Sequence, residues 1–465
     1  MLQLGFATRD ITPSRPAMIQ GQKGRRIGSE ALDPITVTAW AMSNPDGSEA
    51  TVLVSCDITT PSQRLIDSVR ERIDASSLPI DGAAVILTAT HTHTSLVHED
   101  GPYEYPGGDV MTPMECEAWL TEQITAAVEA AWHDRTPRIV ARAFEHAVVG
   151  HNRYAVYADG AGQMYGKTWR DDFANIGGYE DHSVDLMFAW DPDGALAGIA
   201  IVIPCPSQVT EHLTQFSADY WHEVRVELRQ RLGNQTSGPD ADATSGLSIL
   251  GLCGTAGDQS PHFLLYAQQE EEMRQRRGIS EREEIGRRVA DAVERALACT
   301  PPDADRPCPL THHTRHLELP PRAISQAERD QAEALYDEAV AKGDTDTWWP
   351  KRQKAVVEIF DGEREATLVP VEIHGMRIGD FVIATNPFEL FLDYGLQIKA
   401  RSTAAQTMLV QLAGRGFYLP SPRAVAAGGY GAMPAVSAAG PEAGAELVEE
   451  TLSMIDDLME PDQGA

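Results

Sequence analysis

The chain has 465 residues, 42% hydrophobic and 23% charged, a balance that excludes a disordered polymer and supports a sizeable core. That length suits two or three ordinary domains or one large α/β enzyme domain. A net charge of −31 sets the average field against phosphates and anionic lipid surfaces, which argues against nucleic acid as a partner.

Apolar runs rich in β-branched residues alternate with longer amphipathic stretches along the chain, the pattern of an α/β or α+β protein. ATVLVSCD (50–57) reads as a strand. SQRLIDSVRERIDA (62–75) reads as a helix with Leu65, Ile66, Val69 and Ile73 on one stripe, and AAVILTATH (83–91) as a second buried strand. A helix is expected at about 113–134, opened by Pro113, and a strand at 138–150. VDLMFAW and LAGIAIVI flank the turn DPDG at 191–194, a hairpin signal. A helix over 218–232 leads into the polar segment 233–246, read as a loop, and LSILGLC (247–253) resumes the sheet. Helices follow near 280–298 and 324–342, a hairpin over 369–385 turning near Gly375, and a last helix near 441–459. Acidic residues in 268–284 and 442–460 read as solvated helix faces.

Neither an internal repeat nor a domain boundary stands out, so residues 1–465 are expected to form one catalytic domain of mixed sheets flanked by helices. No apolar run approaches the roughly 20 residues needed to cross a bilayer. The opening MLQLGFATRDITP has no basic region followed by an apolar one, so neither export nor stable membrane insertion is expected. The six cysteines Cys56, Cys116, Cys205, Cys253, Cys299 and Cys308 form no CxxC pair, which fits a reducing cytoplasm.

Three histidines crowd the end of the strand in ILTATHTHTSLVHED (86–100). In extended backbone His91 and His93 point the same way and can approach one metal ion or one substrate; the bland alternative is a pair of satisfied strand-edge histidines. Later segments offer further candidates. ILGLCGTAGDQSPHFL (249–264) sets Asp258, Ser260 and His262 in a loop behind a buried strand. IATNPFELFLDYG (383–395) puts Glu389 in the first turn of a helix, as a dipole partner or a ligand. Residues 413–432 look too rich in glycine and proline for regular structure, and Tyr418 and Tyr430 there are loop anchors or site residues. In THHTRH (311–316), His312 and His316 share the face of a solvated strand edge. His222 and Glu223 lack the second histidine of a zincin motif and read as surface residues.

Taken together, these segments resemble the neutral ceramidase family, zinc-dependent amidases that cleave the N-acyl bond of ceramide. ATRDITP (7–13) is similar to the family's N-terminal Asp-Ile-Thr signature, and THTHTS to its Thr-His-Thr-His-Ser motif. GHNRYAVY matches the Asn-Arg-Ser segment at Asn152 and Arg153, and AGDQSP resembles Gly-Asp-Val-Ser-Pro around Ser260. NPFEL is similar to Pro-Gly-Glu-Phe, and FYLPS with GGYGA to the paired tyrosine region.

The resemblance implies a zinc-dependent hydrolase with His91, Glu389 and Tyr418 as ligands, His93, Arg153 and Tyr430 lining the substrate amide, and Ser260 as the catalytic serine. Asn152, Asp258, His98 and His262 would complete the substrate site. Whether Ser260 attacks the carbonyl or positions a zinc-bound water is open. So is the fourth ligand: the family's His-Pro is here Cys205-Pro206, leaving Cys205, His212 or an altered site. Leu96, Val97, His98 and Glu99 replace the family's Gly-Pro-Gly-Gly, changing the mouth of the site. No counterpart of the family's signal peptide or C-terminal β-sandwich is expected. The implied substrate is a small or lipid-like acyl amide, smaller or more soluble than ceramide. Esterase or lactonase action, or metal-free binding, are the alternatives, and a homo-oligomer is left open.

Overall fold

Hydroxyl residues set the helix starts. The Ser62 side chain accepts from the Leu65 amide at the head of Gln63–Asp74, whose Leu65, Ile66, Val69 and Ile73 are all buried. Capping boxes open Pro113–His133 (Thr112 with Glu115), Glu281–Ala298 (Ser280 with Glu283) and Gln326–Lys342 (Ser325 with Glu328). These elements belong to a computed structural model that describes residues 1–233, 246–345 and 347–460; nearly all of the loop expected at 233–246 lies outside the described residues.

An eight-stranded sheet runs in the order Ser248–Cys253, Leu196–Ile203, Ser183–Trp190, Thr136–His146, Leu2–Asp10, Thr36–Ser43, Ala50–Cys56 and Val85–Ala89. Its two end pairs are parallel and all inner pairs antiparallel. Between the strands of each parallel pair the chain forms a helix, Gln63–Asp74 or Tyr220–Leu232, as a parallel connection requires. A second sheet orders Leu310–Leu319, Val369–Ile378, Phe381–Thr385 and Gln406–Val410, again ending in a parallel pair.

The sheets pack face to face. Trp40, Leu53, Met187 and Leu252 of the first meet Met376, Phe381, Ile383 and Met408 of the second in one buried cluster. Helices Gln63–Asp74, Pro113–His133, Tyr220–Leu232 and Glu281–Ala298 cover the far side of the large sheet, and Leu392–Arg401 and Pro441–Met459 that of the small one. The result is a four-layer helix–sheet–sheet–helix sandwich, the mixed α/β class expected. Among the described residues no helix is long and apolar enough to cross a membrane.

Two local expectations need correction. The hairpin over 369–385 turns at Gly379, whose φ is 63°, and not near Gly375. Gly375 sits inside Val369–Ile378, where a Cβ would come within 2.7 Å of Leu458 Cδ1, so its lack of a side chain lets Pro441–Met459 press onto the sheet. Residues 413–432 are also more regular than their composition suggests, holding the short helix Pro422–Ala427.

Parallel pairs matter because they align carboxyl ends. The loops leaving Val85–Ala89, Leu196–Ile203, Ser248–Cys253, Phe381–Thr385 and Gln406–Val410 carry His91, Gln208, Gly257, Glu389 and Tyr418, and they meet at one rim of the sandwich. Open α/β sheets generally bind ligands outside such carboxyl ends.

Two histidines, His98 fully buried and His312 partly buried, make the fold acid-sensitive. His98 accepts a hydrogen bond from the Ser62 amide (3.2 Å), and His312 packs against His374 (3.1 Å between ring nitrogens). Burial pushes each down to about 4. Each is therefore neutral in the native state over a range in which the unfolded chain takes up a proton, so stability is full above pH 6.5 and is lost as pH falls toward 4. His98→Gln keeps an acceptor for Ser62 but cannot titrate. Urea unfolding between pH 4 and 6.5 should show a slope shallower by about 1.4 kcal/mol per pH unit in this variant; an unchanged slope would refute the assignment.

Candidate active site

His91 follows its strand with φ at 62°, a left-handed conformation unusual for a residue with a side chain. Strand alternation therefore does not bring the two histidines together, contrary to expectation; the backbone kink does. The His91 Nδ1–H donates to the Thr59 carbonyl (2.6 Å), and Nε2 lies 3.3 Å from Glu389 Oε2 and 3.3 Å from His93 Nε2.

Glu389 is not in the first turn of a helix, which starts at Leu392. It lies in the two-residue strand Glu389–Leu390, paired in parallel with Tyr418–Leu419, so Glu389 and Tyr418 stand side by side. The reason is local: the Glu389 amide donates to Phe417 O at 3.0 Å, and Asn386 turns the chain by accepting from the Phe388 amide at 3.0 Å. The Tyr418 hydroxyl accepts from Arg153 Nη2 at 3.1 Å, beside the Glu389 with which its residue is paired. Burial opposes the charge on Glu389, but His91, Tyr418 and Arg153 outweigh it and hold its pKa below the ordinary carboxylate value. Burial pushes the phenols of Tyr418 and Tyr430 upward, so both are neutral donors near pH 7.

His93 sits in a cradle that motif reading did not anticipate. Its Nε2 accepts from the Gln208 amide at 2.9 Å, and its Nδ1 lies 3.3 Å from Glu211 Oε2. Arg153 Nη1 donates to Gln208 Oε1 at 3.3 Å, which fixes which way the amide faces. Arg26 Nη2 donates to the carbonyls of Gln20 (2.8 Å) and His93 (2.6 Å), and Nη1 to those of Glu211 (2.7 Å) and Leu213 (2.6 Å). One guanidinium thus pins three chain segments around one imidazole.

His91, His93, Glu389, Tyr418 and Tyr430 line a single cavity of about 370 Å³, and Tyr103, Trp348, Arg352 and Phe417 line it too. The other sequence candidates stand outside it. Ser260 is fully buried, its Oγ accepting from the Tyr165 hydroxyl and the His262 amide, both at 3.1 Å. Asn152 donates to Asp258 (2.8 Å), and the Asp258 carboxylate accepts from the Leu392 amide (3.0 Å), a brace behind the Arg153 segment. His262 donates from Nε2 to Gln208 O at 3.1 Å, and His98 is fully buried under Ser62.

Neither proposed fourth ligand faces the cavity. Cys205 is fully buried in the apolar cluster of Tyr220 and Trp221; burial, with Cys253 and Asp219 nearby, pushes its thiol far up. His212 is exposed, while its neighbour Glu211 turns inward to His93. Among the described residues no three His, Cys, Asp or Glu side chains converge as a metal cage. A phenol changes the count. Zinc bonds of about 2.0–2.1 Å at tetrahedral angles separate neighbouring ligand atoms by about 3.3–3.4 Å, and His91 Nε2 stands 3.3 Å from Glu389 Oε2. With Tyr418 as third donor, the residues fit a site of three protein ligands and an open position.

No family model and no curated protein matches this sequence. Its layered fold, with loops converging at the carboxyl ends of parallel pairs, is that of the neutral ceramidases. In particular, the crystal structure of neutral ceramidase from Pseudomonas aeruginosa superposes with a TM-score of 0.70 at 17% identity, over 98% of this chain and 74% of that one. A ceramidase complexed with C2 gives 0.67 at 14% identity, over 98% and 75%.

The Arg26 clamp is testable without a substrate. Arg26→Lys keeps the charge but cannot reach four carbonyls, and should lower stability by about 2 kcal/mol in urea unfolding. An unchanged unfolding midpoint would show that the carbonyls are satisfied without it.

Proposed function

We propose that the protein is a zinc-dependent amidohydrolase cleaving an N-acyl bond in a small or lipid-like substrate. The reading rests on one observation above all: His91, Glu389 and Tyr418, drawn from three separate loops, line one cavity, with His91 and Glu389 at a spacing suited to a divalent ion and Tyr418 paired beside Glu389. The shared fold with solved ceramidases supports the same reaction class.

When bound by His91, Glu389 and Tyr418, zinc would polarise the scissile carbonyl and acidify water. The chain's own groups do the rest. Thr59 holds the His91 tautomer, and Arg153 fixes the phenol oxygen of Tyr418. His93, exchanging the Gln208 amide for water, takes a proton at Nε2 while Glu211 beside Nδ1 stabilises the imidazolium. Water adds to the carbonyl carbon, the C–N bond breaks, and the proton passes from His93 to the leaving nitrogen, giving an acid and an amine. The neutral Tyr430 phenol is placed to donate to the developing oxyanion. Ser260, outside the cavity and bonded to Tyr165 and His262, is a positioning residue, and water is the nucleophile.

Elemental analysis of the purified protein should find about one zinc per chain, lost on His91→Ala. Acyl anilide hydrolysis should fall about 100-fold or more in Glu389→Gln, a loss typical of removing a group that acts on the transition state. Ser260→Ala should retain activity within about 10-fold. Hydrolysis confined to aryl esters would replace the amidase reading with an esterase. A folded, metal-free and inactive protein would replace it with a binding protein.

A further inference from the structure

One cation on the cavity wall, Arg352, and one beside that wall, Lys23, are not neutralised by the cavity's acids. Lys23 Nζ rests 3.6 Å above the Trp349 ring and 5.1 Å from that of Tyr430, which lines the cavity. Arg352 Cζ lies 4.7 Å from the Phe417 ring and 5.1 Å from that of Trp348, both cavity residues. Among the described residues neither cation has a carboxylate oxygen within 4.0 Å.

The acids of the same cavity are already engaged. Glu99 lies 3.3 Å from Arg415, Asp100 lies 3.8 Å from Arg64, and Glu389 is taken by His91 and Tyr418. In a chain of net charge −31 most cations could find a carboxylate. Aromatic faces instead hold these two in place; apart from one 3.5 Å bond from Arg352 Nη1 to Ala435 O, their polar edges face a ligand.

We propose that the cavity takes an acyl amide that itself bears a carboxylate, of the N-acyl amino acid class, and that Arg352 and Lys23 receive that charge. A planar guanidinium fork matches a carboxylate in two parallel hydrogen bonds, and one ammonium nearby adds a point charge. A phosphate dianion is less well matched, because Arg415, another cation lining the cavity, is already held by Glu99 and Lys351 has an interaction of its own. The inference deepens the amidase reading, on which it rests for the bond cleaved, but the binding preference stands on the cavity wall alone. Lys23 and Trp349 belong to segments far apart in sequence, and motif comparison singled out neither.

The test is binding of N-octanoylglycine against its uncharged partner N-octanoylglycinamide, followed by calorimetry on the protein as purified. The carboxylate should bind about 10-fold or more tightly at low salt, with the preference shrinking at 0.5 M salt. Arg352→Gln should cut the preference about 5-fold or more, and Lys23→Gln, at an exposed site, tests the same point should the first variant fail to fold. Equal binding of the two probes overturns the proposal. So does a preference that survives both substitutions, which would assign the carboxylate to the His91–Glu389–Tyr418 centre, and so does stronger competition by phenyl phosphate than by N-octanoylglycine. Preferential binding without hydrolysis would defeat the amidase reading and leave the carboxylate pocket standing; hydrolysis without preference would do the reverse.

Discussion

The arrangement of the site depends on one buried cation. Arg153 is 2% exposed, and taking a guanidinium out of water is costly unless its donors are satisfied. Its Nη2 donates to Gly257 O (2.8 Å) and to the Tyr418 hydroxyl (3.1 Å), and its Nη1 to Gln208 (3.3 Å), while Nε has no hydrogen-bond partner among the described residues. Those three partners come from loops behind three different strands, two in the large sheet and one in the small. The charge thereby adds a side-chain tie to the few backbone bonds that join the same ends, Gln411 N to Cys253 O (3.0 Å) and Gly257 N to Leu390 O (2.8 Å). Through Tyr418 it reaches Glu389, and through Gln208 it reaches His93, so both halves of the cavity take their orientation from one group.

Such convergence needs close backbone approach, and the sequence provides it with glycine. A Cβ on Gly257 would fall 2.3 Å from Glu389 O, and one on Gly416 would fall 1.6 Å from Pro387 O. Neither position takes an unusual φ, so conformational freedom is not the reason; the loops touch where any side chain would separate them. A side chain at either position would press apart the loops that bring Glu389 and Tyr418 beside His91.

Much of the sandwich is legible in the chain because local signals and burial agree. The stripe of Leu65, Ile66, Val69 and Ile73 and the β-branched strands beside it predict a strand–helix–strand unit, and the structure has one. His91, Glu389 and Tyr418 are likewise readable as a set, because each belongs to a short motif. What surrounds them is not. Gln208, Glu211 and Arg26 carry no pattern of their own and matter only through contacts made across more than 100 residues or through backbone carbonyls, which no spacing rule encodes. Glu389 shows the limit of local reading within a recognised motif, since helix propensity after residue 391 says nothing of a two-residue bridge to Tyr418.

Cys205 explains why the cradle of His93 looks as it does. Where the resembling family places a histidine, this chain has a small thiol that packs among Tyr220, Trp221 and Cys253. The loop is then anchored by burial at Cys205, not by a ligand bond, and its next turn delivers Gln208 and Glu211 to the imidazole instead. That exchange trades a fourth donor for a carboxylate and an amide that fix the tautomer of His93. On the proposed reading a centre with three protein donors would leave more room for a ligand, and Arg352 on the wall with Lys23 beside it would favour an anionic one. The net charge of −31 would repel an anion at long range, but screening confines that repulsion to about 8–10 Å at moderate salt. Within the cavity the nearest uncompensated charges are positive, so the local field and not the overall one decides what binds.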